Sequence, residues 1–286
     1  MGIGVFQILT DLDNGDPAVI AKRAEDLGFA SYWVPEHAVI PEGSADIYPG
    51  RQEGKPTPGY LFKMPDPFIA LTRAASHTTE IGLGTGIALV PERNPLLAAK
   101  EIASVDHYSG GRMLFGIGAG WNEPECTVMG GDFAHRWGQT KDHILAMKAL
   151  WSGEYVEYHG KYIDFPPVVC QPRPTRQPHP PIYLGSIGSP RVFKRVAEWG
   201  DGWLPFSVDP QEIADGKAEI VKYAEGFGRS SESFDITLFA PEGFFRKPKE
   251  LADIAKAGAN NVVLWIKGDT ESEVLEDLEQ IASAVF

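Results

Sequence analysis

Short apolar runs alternate along the chain with longer segments whose apolar residues recur every three or four positions. The runs IGVFQIL (3–9), ASYWVPEH (30–37), IGLGTGIALV (81–90) and RMLFGIG (112–118) read as buried strands, because a short apolar stretch bounded by turn formers suits a strand covered on both faces. PIYLGS (181–186), GWLPF (202–206), DITLFA (235–240) and NVVLWI (261–266) continue the series. Between them lie helical patterns at 16–28, 66–78, 94–111, 137–153, 189–200, 209–228, 247–259 and 270–285. Several of these open on Asp-Pro or Asn-Pro, an N-cap followed by the residue best suited to the first helical position, and the first and third close on glycine.

Eight strands and eight helices in strict alternation imply parallel strands joined by right-handed crossovers. Eight such units in 286 residues have the size of a closed barrel. The expected architecture is an α/β fold, a (β/α)8 TIM barrel, forming a single domain over residues 1–286 with insertions after strand 2 and before strand 5. A doubly wound dinucleotide sheet needs G-x-G-x-x-G after its first strand. That spacing fails here, because Ile87 and Leu89 stand where Gly82, Gly84 and Gly86 would need a further glycine, and Trp121 stands where Gly116 and Gly118 would need one. The first insertion, 38–65, is long and rich in Pro and Gly, as lids and binding loops are. The second, 154–180, reads as a small hairpin with a proline-rich return, and a surface excursion without chemistry explains it equally well.

Composition narrows the functional classes. A hydrophobic fraction of 43% supports a large core, and a formal charge of −13 repels nucleic acids and anionic membranes, leaving a small captured ligand as the favoured partner. Cys126 and Cys170 lack the paired spacing of metal or redox motifs and read as reduced thiols. The first sixteen residues lack a basic leader, Phe6 stands where a myristoylation signal wants Ser or Thr, and no apolar run nears the roughly 20 residues that span a bilayer. The expectation is a soluble cytoplasmic protein.

Barrel active sites form at the C-terminal ends of the strands. That rule selects Glu36 and His37 after strand 2, Gly86 and Ile87 in strand 3, 119–125 after strand 4 and 185–189 after strand 5. His37 is the only one of seven histidines at a strand end, and none of the seven forms an H-E-x-x-H or H-x-H pattern, so no metal site is expected. A lone histidine is equally compatible with a structural role. In GSIGSPRVFKRV (185–196), small residues lead into a helix whose first turn carries Arg191, a turn suited to an anion, although an ordinary tight turn has the same pattern. Three alternating glycines weaken strand 3 by about 0.5–1 kcal/mol each relative to alanine. They suit the approach of a flat ligand or an unusual backbone, with packing against large neighbours as the alternative. In GWNEPE (120–125), Glu123 could pair with Glu242 as the two carboxylates of a retaining glycoside hydrolase, about 5–5.5 Å apart. That reading leaves the glycine-rich strand and the anion turn without a purpose. If a cofactor binds instead, Glu123 and Glu125 are a solvated or helix-capping pair with no chemical duty.

The blocks LGTGIALVPERNPLLAAKEIASVDHYSGGRMLFGIGAGWNEPE, GGDFAHRWGQTKDHILAMKALW and PPIYLGSIGSPRVFKRVAEWGDGWLP resemble the luciferase-like monooxygenase superfamily in its coenzyme F420-dependent branch, from residue 1 to about residue 206. The resemblance implies a (β/α)8 barrel holding F420, or alternatively FMN, at its C-terminal mouth, with a non-prolyl cis peptide between Gly86 and Ile87 backing the ring. It assigns Glu36 and His37 to the deazaflavin edge as the catalytic pair, and Ala119, Gly120, Trp121 and Asn122 to the loop along the pyrimidine ring. It assigns Gly185, Ser186, Ile187 and Gly188 to the phosphate turn, and makes Arg136 a basic cofactor-site residue. Trp121 stands where the family's sugar-phosphate dehydrogenase carries a glutamate, so that substrate is not implied. The expected function is F420-dependent hydride transfer with a small organic substrate, and family members often form homodimers. The rivals are an FMN-dependent monooxygenase, a flavin-binding protein without turnover and, remotely, the glycoside hydrolase.

Overall fold

The computed structural model describes residues 1–10, 13–49, 58–230 and 234–286. Its helices start where the dipeptides promised. Asp16, Asp66 and Asn94 each accept a hydrogen bond from a first-turn backbone N–H, with proline in the first helical position, and so begin α1 (Pro17–Asp26), α2 (Pro67–Ala75) and α3 (Pro95–Ser109). Gly110, at φ +71°, closes α3 in the left-handed conformation that glycine adopts without strain. The series continues with α4 (Arg136–Leu150), α5 (Pro190–Trp199), α6 (Pro210–Glu225), α7 (Pro248–Lys256) and α8 (Glu271–Val285). A short extra helix, Glu123–Val128, interrupts the alternation before α4.

The strands are β1 (Gly2–Gln7), β2 (Ser31–Val34), β3 (Gly82–Thr85), β4 (Met113–Gly118), β5 (Ile182–Gly185), β6 (Gly202–Leu204), β7 (Asp235–Phe239) and β8 (Asn261–Ile266). All pair in parallel in the order β3-β2-β1-β8-β7-β6-β5-β4, and β4 returns to β3 with Leu83 opposite Met113. The sheet is therefore a closed (β/α)8 barrel. The run read as strand 3 is broken: β3 ends at Thr85, the Gly86–Ile87 peptide is cis, and a two-residue strand, Ala88–Leu89, follows.

Alternate strand residues serve two cores, as a parallel barrel requires. Val5, Tyr32, Val34, Leu83 and Phe115 face the helices in one large cluster. Trp33, Tyr183, Leu204 and Val263 fill the barrel interior with Phe6, Ile87, Leu114 and Phe239 packed against them. The glycines of strand 3 belong to this packing. Gly84 lies opposite Trp33 in the ladder, and a Cβ there would stand 2.1 Å from the indole Cε3. A Cβ at Gly82 would meet Leu114 at 2.9 Å, and one at Gly86 would meet Phe239 at 2.8 Å. Of the readings offered for these glycines, packing against large neighbours describes all three, and the unusual backbone is present as the cis Gly86–Ile87 peptide.

Between α4 and β5 stands an antiparallel hairpin, Val156–His159 with Asp164–Val168, followed by cis Gln171–Pro172 and Gln177–Pro178 bonds. The long connection after β2 contains two short 3-10 turns, Ser44–Ile47 and Gly59–Phe62, and residues 50–57 of the expected lid lie outside the described residues. Among the described residues, no helix is long and apolar enough to cross a membrane.

Candidate active site

Because every strand of a parallel barrel ends on the same face, the loops after β2, β3, β4 and β5 converge there. They enclose a cavity of about 490 Å³, within the roughly 300–1,000 Å³ usual for small-molecule sites. Its wall includes Glu36, His37, Gly86, Ile87, Ala119, Gly120, Trp121, Arg136, Gly185, Ser186 and Ile187, so eleven of the thirteen residues selected from the sequence come together. Asn122 and Gly188 do not line it. Asn122 is 1% exposed; its carboxamide caps the helix Glu123–Val128 and bonds to the Ser44 hydroxyl. Gly188 lies behind the turn, where a Cβ would press on Phe193 at 3.0 Å and Trp203 at 3.2 Å.

His37 is held by a residue to which sequence reasoning assigned no duty. Its Nδ1 lies 2.7 Å from Oε2 of Glu125, a carboxylate with no solvent exposure. The Ala38 N–H donates to the other carboxylate oxygen at 3.1 Å, and the Asn122 amide donates to Oε2 at 3.4 Å. A carboxylate surrounded by donors accepts from His37 as well, so the imidazole carries its proton on Nδ1 and keeps Nε2 for the cavity. Edge contact with Trp121, 5.5 Å between ring centroids, fixes the other side of the imidazole. Trp121 in turn meets Tyr48 of the long connection at 5.4 Å, and the Tyr48 and Tyr60 hydroxyls are 3.0 Å apart. The reading of Glu125 as solvated is therefore corrected. Its signal was present in N-E-P-E, where an Asn N-cap is followed three positions later by a glutamate, the spacing that folds a carboxylate back toward the helix start.

Glu36 differs from expectation in another way. Arg93 Nε donates to one of its oxygens at 2.6 Å and the Leu89 N–H to the other at 2.7 Å, so the carboxyl ties β2 to the segment after β3. Arg93 also reaches Asp66 at 2.6 Å and Glu101 at 3.1 Å. Burial pushes the Glu36 carboxyl up, with the Arg93 charge, its hydrogen bond and the Leu89 N–H acting against that push. A carboxyl so engaged positions the wall; it is not a free acid or base.

Behind Gly120 sits a third glutamate that the sequence did not single out. Glu92 is 3% exposed, and neither carboxyl oxygen has a hydrogen-bond partner. Burial, and then the charges of Glu125 and Glu36, push it up to about 9. Glu92 is thus a neutral carboxylic acid at neutral pH.

Arg136 opens α4, donating from Nε to the Gly120 carbonyl at 3.1 Å and from one terminal nitrogen to that of Phe133 at 3.0 Å. The turn after β5 leaves the backbone N–H groups of Ile187, Gly188 and Ser189 without partners among the described residues, beside the start of the ten-residue α5. Free N–H groups, a helix N-terminus and a guanidinium are the donor set a phosphate requires.

The carboxylates proposed for glycoside cleavage have other surroundings. Glu242 pairs with Lys267 at 2.8 Å with half its side chain exposed, and Glu123 is exposed on the first turn of its helix.

Residues 16–259 match the family model described as luciferase-like monooxygenase. The chain is 36% identical over 279 residues to an uncharacterized protein of Mycobacterium tuberculosis, covering 96% of each. It is 29% identical over 224 residues to an F420-dependent glucose-6-phosphate dehydrogenase of Amycolatopsis mediterranei, covering 76% of this chain and 62% of that protein. Among solved structures it resembles the coenzyme F420-dependent tetrahydromethanopterin reductase of Methanopyrus kandleri, with a TM-score of 0.73 at 20% identity over 100% of this chain and 99% of that one. It also resembles the oxygenating constituent of 3,6-diketocamphane monooxygenase from Pseudomonas putida in complex with FMN, with a TM-score of 0.64 at 16% identity over 83% of this chain and 66% of that one.

Proposed function

The chain belongs to the luciferase-like monooxygenase family, and from that premise we propose that it is an F420-dependent oxidoreductase, a single barrel domain that passes a hydride between C5 of the deazaflavin and a small organic substrate. The observation that carries the reading is the buried His37–Glu125 pair, 2.7 Å apart, on the wall of a cavity flanked by an unpartnered N–H turn. The residues present fit such a cofactor: a cavity of about 490 Å³ has room for a ring system, its wall at 86–87 and 119–120 is made of Gly, Ile and Ala, and Arg136 with the turn 185–189 suits a phosphate. When bound, the deazaflavin supplies the hydride donor or acceptor.

The chain's own residues do the remainder. Glu125 orients the imidazole through Nδ1, so that Nε2 of His37 faces the cavity to hold or deliver the proton that accompanies hydride transfer. Trp121, backed by Tyr48, contributes aromatic surface to the cavity wall, which favours a substrate with an apolar part. The 29% identical F420-dependent dehydrogenase adds support for the choice of cofactor.

The same donor set also suits FMN, which makes an FMN-dependent luciferase-like monooxygenase the rival. Equilibrium titration with F420 and FMN side by side, followed by hydride exchange with the purified protein, tests the proposal. Tight FMN binding without F420 affinity overturns it in favour of the rival. F420 binding without exchange means a binding protein rather than an enzyme.

A further inference from the structure

A second cavity, of about 500 Å³, opens beside the first and shares Arg136, Trp137 and Ser186 with it. Arg191 and Arg195 of α5 form its far wall, and Ser189 lies between them and the turn. No described acidic side chain pairs with any of these three arginines, in a chain that carries 39 acidic against 26 basic residues. The neighbouring acids are engaged elsewhere: Asp132 with His135 at 2.9 Å, Glu198 with Lys141 at 2.6 Å and Asp142 with the Tyr158 hydroxyl at 2.9 Å. Arg195 is stacked over Trp137, 4.7 Å from the ring centroid, and Arg136 over Phe133 at 4.0 Å, so both guanidinium groups are presented by aromatic faces rather than neutralised.

We propose that this cavity is an oligoanion subsite: it takes a run of carboxylates or phosphates carried by the same ligand whose ring occupies the first cavity, with Arg191 and Arg195 as its specificity-determining residues. The inference rests on the F420 reading, since it asks for a ligand with negative charges beyond a single phosphate. Three like charges around one cavity repel at short range, and an anion placed among them reverses the sign of each interaction. Burial first, and then the charges of Arg191 and Arg136, hold the Arg195 guanidinium below the ordinary arginine range, so the repulsion adds to a push that burial begins. Guanidinium groups bind carboxylate and phosphate oxygens in pairs, so a flexible tail with several such groups can engage both arginines in more than one register.

The test compares the wild-type protein with an Arg191→Gln/Arg195→Gln double variant. Four probes are titrated: F420 with its oligoglutamyl tail, the deazaflavin riboside that lacks phosphate and tail, FMN, and sodium tripolyphosphate alone. The expected result is a loss of about tenfold or more in F420 affinity in the variant, equivalent to about 1.4 kcal/mol, with riboside and FMN affinities unchanged. Unchanged riboside binding also shows that the variant folds. Equal F420 affinity in the two proteins overturns the proposal, and so does an equal loss for FMN, which would place the arginines at the first phosphate. If neither protein binds F420, the F420 reading fails and tripolyphosphate decides the subsite. Saturable thermal stabilisation of the wild type that the variant lacks then supports an oligoanion site, and the same stabilisation in both, or in neither, refutes it.

Discussion

Replacing Glu92 by glutamine isolates a carboxyl that is buried without a hydrogen-bond partner among the described residues. The change is nearly isosteric and removes only the ability to ionise. The carboxyl has an ordinary value of 4.5 and stands at about 9 in the folded protein, raised by burial and then by Glu125 and Glu36, with Arg93 opposing. Below the ordinary value, folded and unfolded chains both keep the proton and the group does not bias the equilibrium. Above it, the unfolded chain releases a proton that the folded chain retains, so folding loses stability steadily until about pH 9. At about 1.36 kcal/mol per unit, the ceiling between about pH 5.5 and about pH 7.5 is near 3 kcal/mol, and local relaxation lowers it to about 1–3 kcal/mol. Urea unfolding of both proteins at those two pH values gives the difference directly, because every other titrating group cancels in the comparison. Glu92→Gln should gain on the wild type by that amount at the higher pH. A stability difference that stays constant within about 0.5 kcal/mol would mean that Glu92 titrates as it does in water, and the account of its burial would be wrong.

Other variants probe the site and its frame. His37→Ala should lower turnover with the preferred cofactor by about 10²-fold or more, while Glu123→Gln leaves it nearly intact; the reverse ranking in steady-state kinetics, with glycoside cleavage needing no cofactor, would restore the hydrolase reading. Glu125→Gln should lower kcat with little change in cofactor affinity, because it acts through the imidazole; a loss of cofactor affinity as large as the loss in kcat would reduce Glu125 to a scaffold. Arg93→Met should cost about 3–5 kcal/mol in urea unfolding by leaving Glu36 buried and unpaired, and a loss under about 1 kcal/mol would contradict that pairing. Gly84→Ala should cost about 1–3 kcal/mol by overpacking Trp33, whereas an unchanged unfolding midpoint would show that the indole has room to move.

The sequence by itself determined the barrel and the face on which chemistry occurs. Apolar runs and capping dipeptides are local signals, since they depend on residues within one or two turns of each other, and an alternating series of eight units has few ways to close. Once closed, a parallel barrel brings every strand end to one rim, which is why His37, Gly86, Ile87, Gly120 and Ser186 could be selected without coordinates. The tertiary structure alone decided how the carboxylates divide their work. Glu36, Glu92, Glu123 and Glu125 look alike in a sequence, yet one is clamped by Arg93, one is neutral, one is exposed and one holds His37 across 88 positions of chain. A carboxylate's state depends on whether water, a cation or another carboxylate stands beside it, and those neighbours come from different strands. The same holds for Gly82, Gly84 and Gly86, whose packing follows from Leu114, Trp33 and Phe239 on neighbouring parts of the barrel wall, and for the three arginines, which α4 and α5 bring to one cavity. Periodicity reports which side of an element faces inward; what it meets there is set by elements far away in the chain.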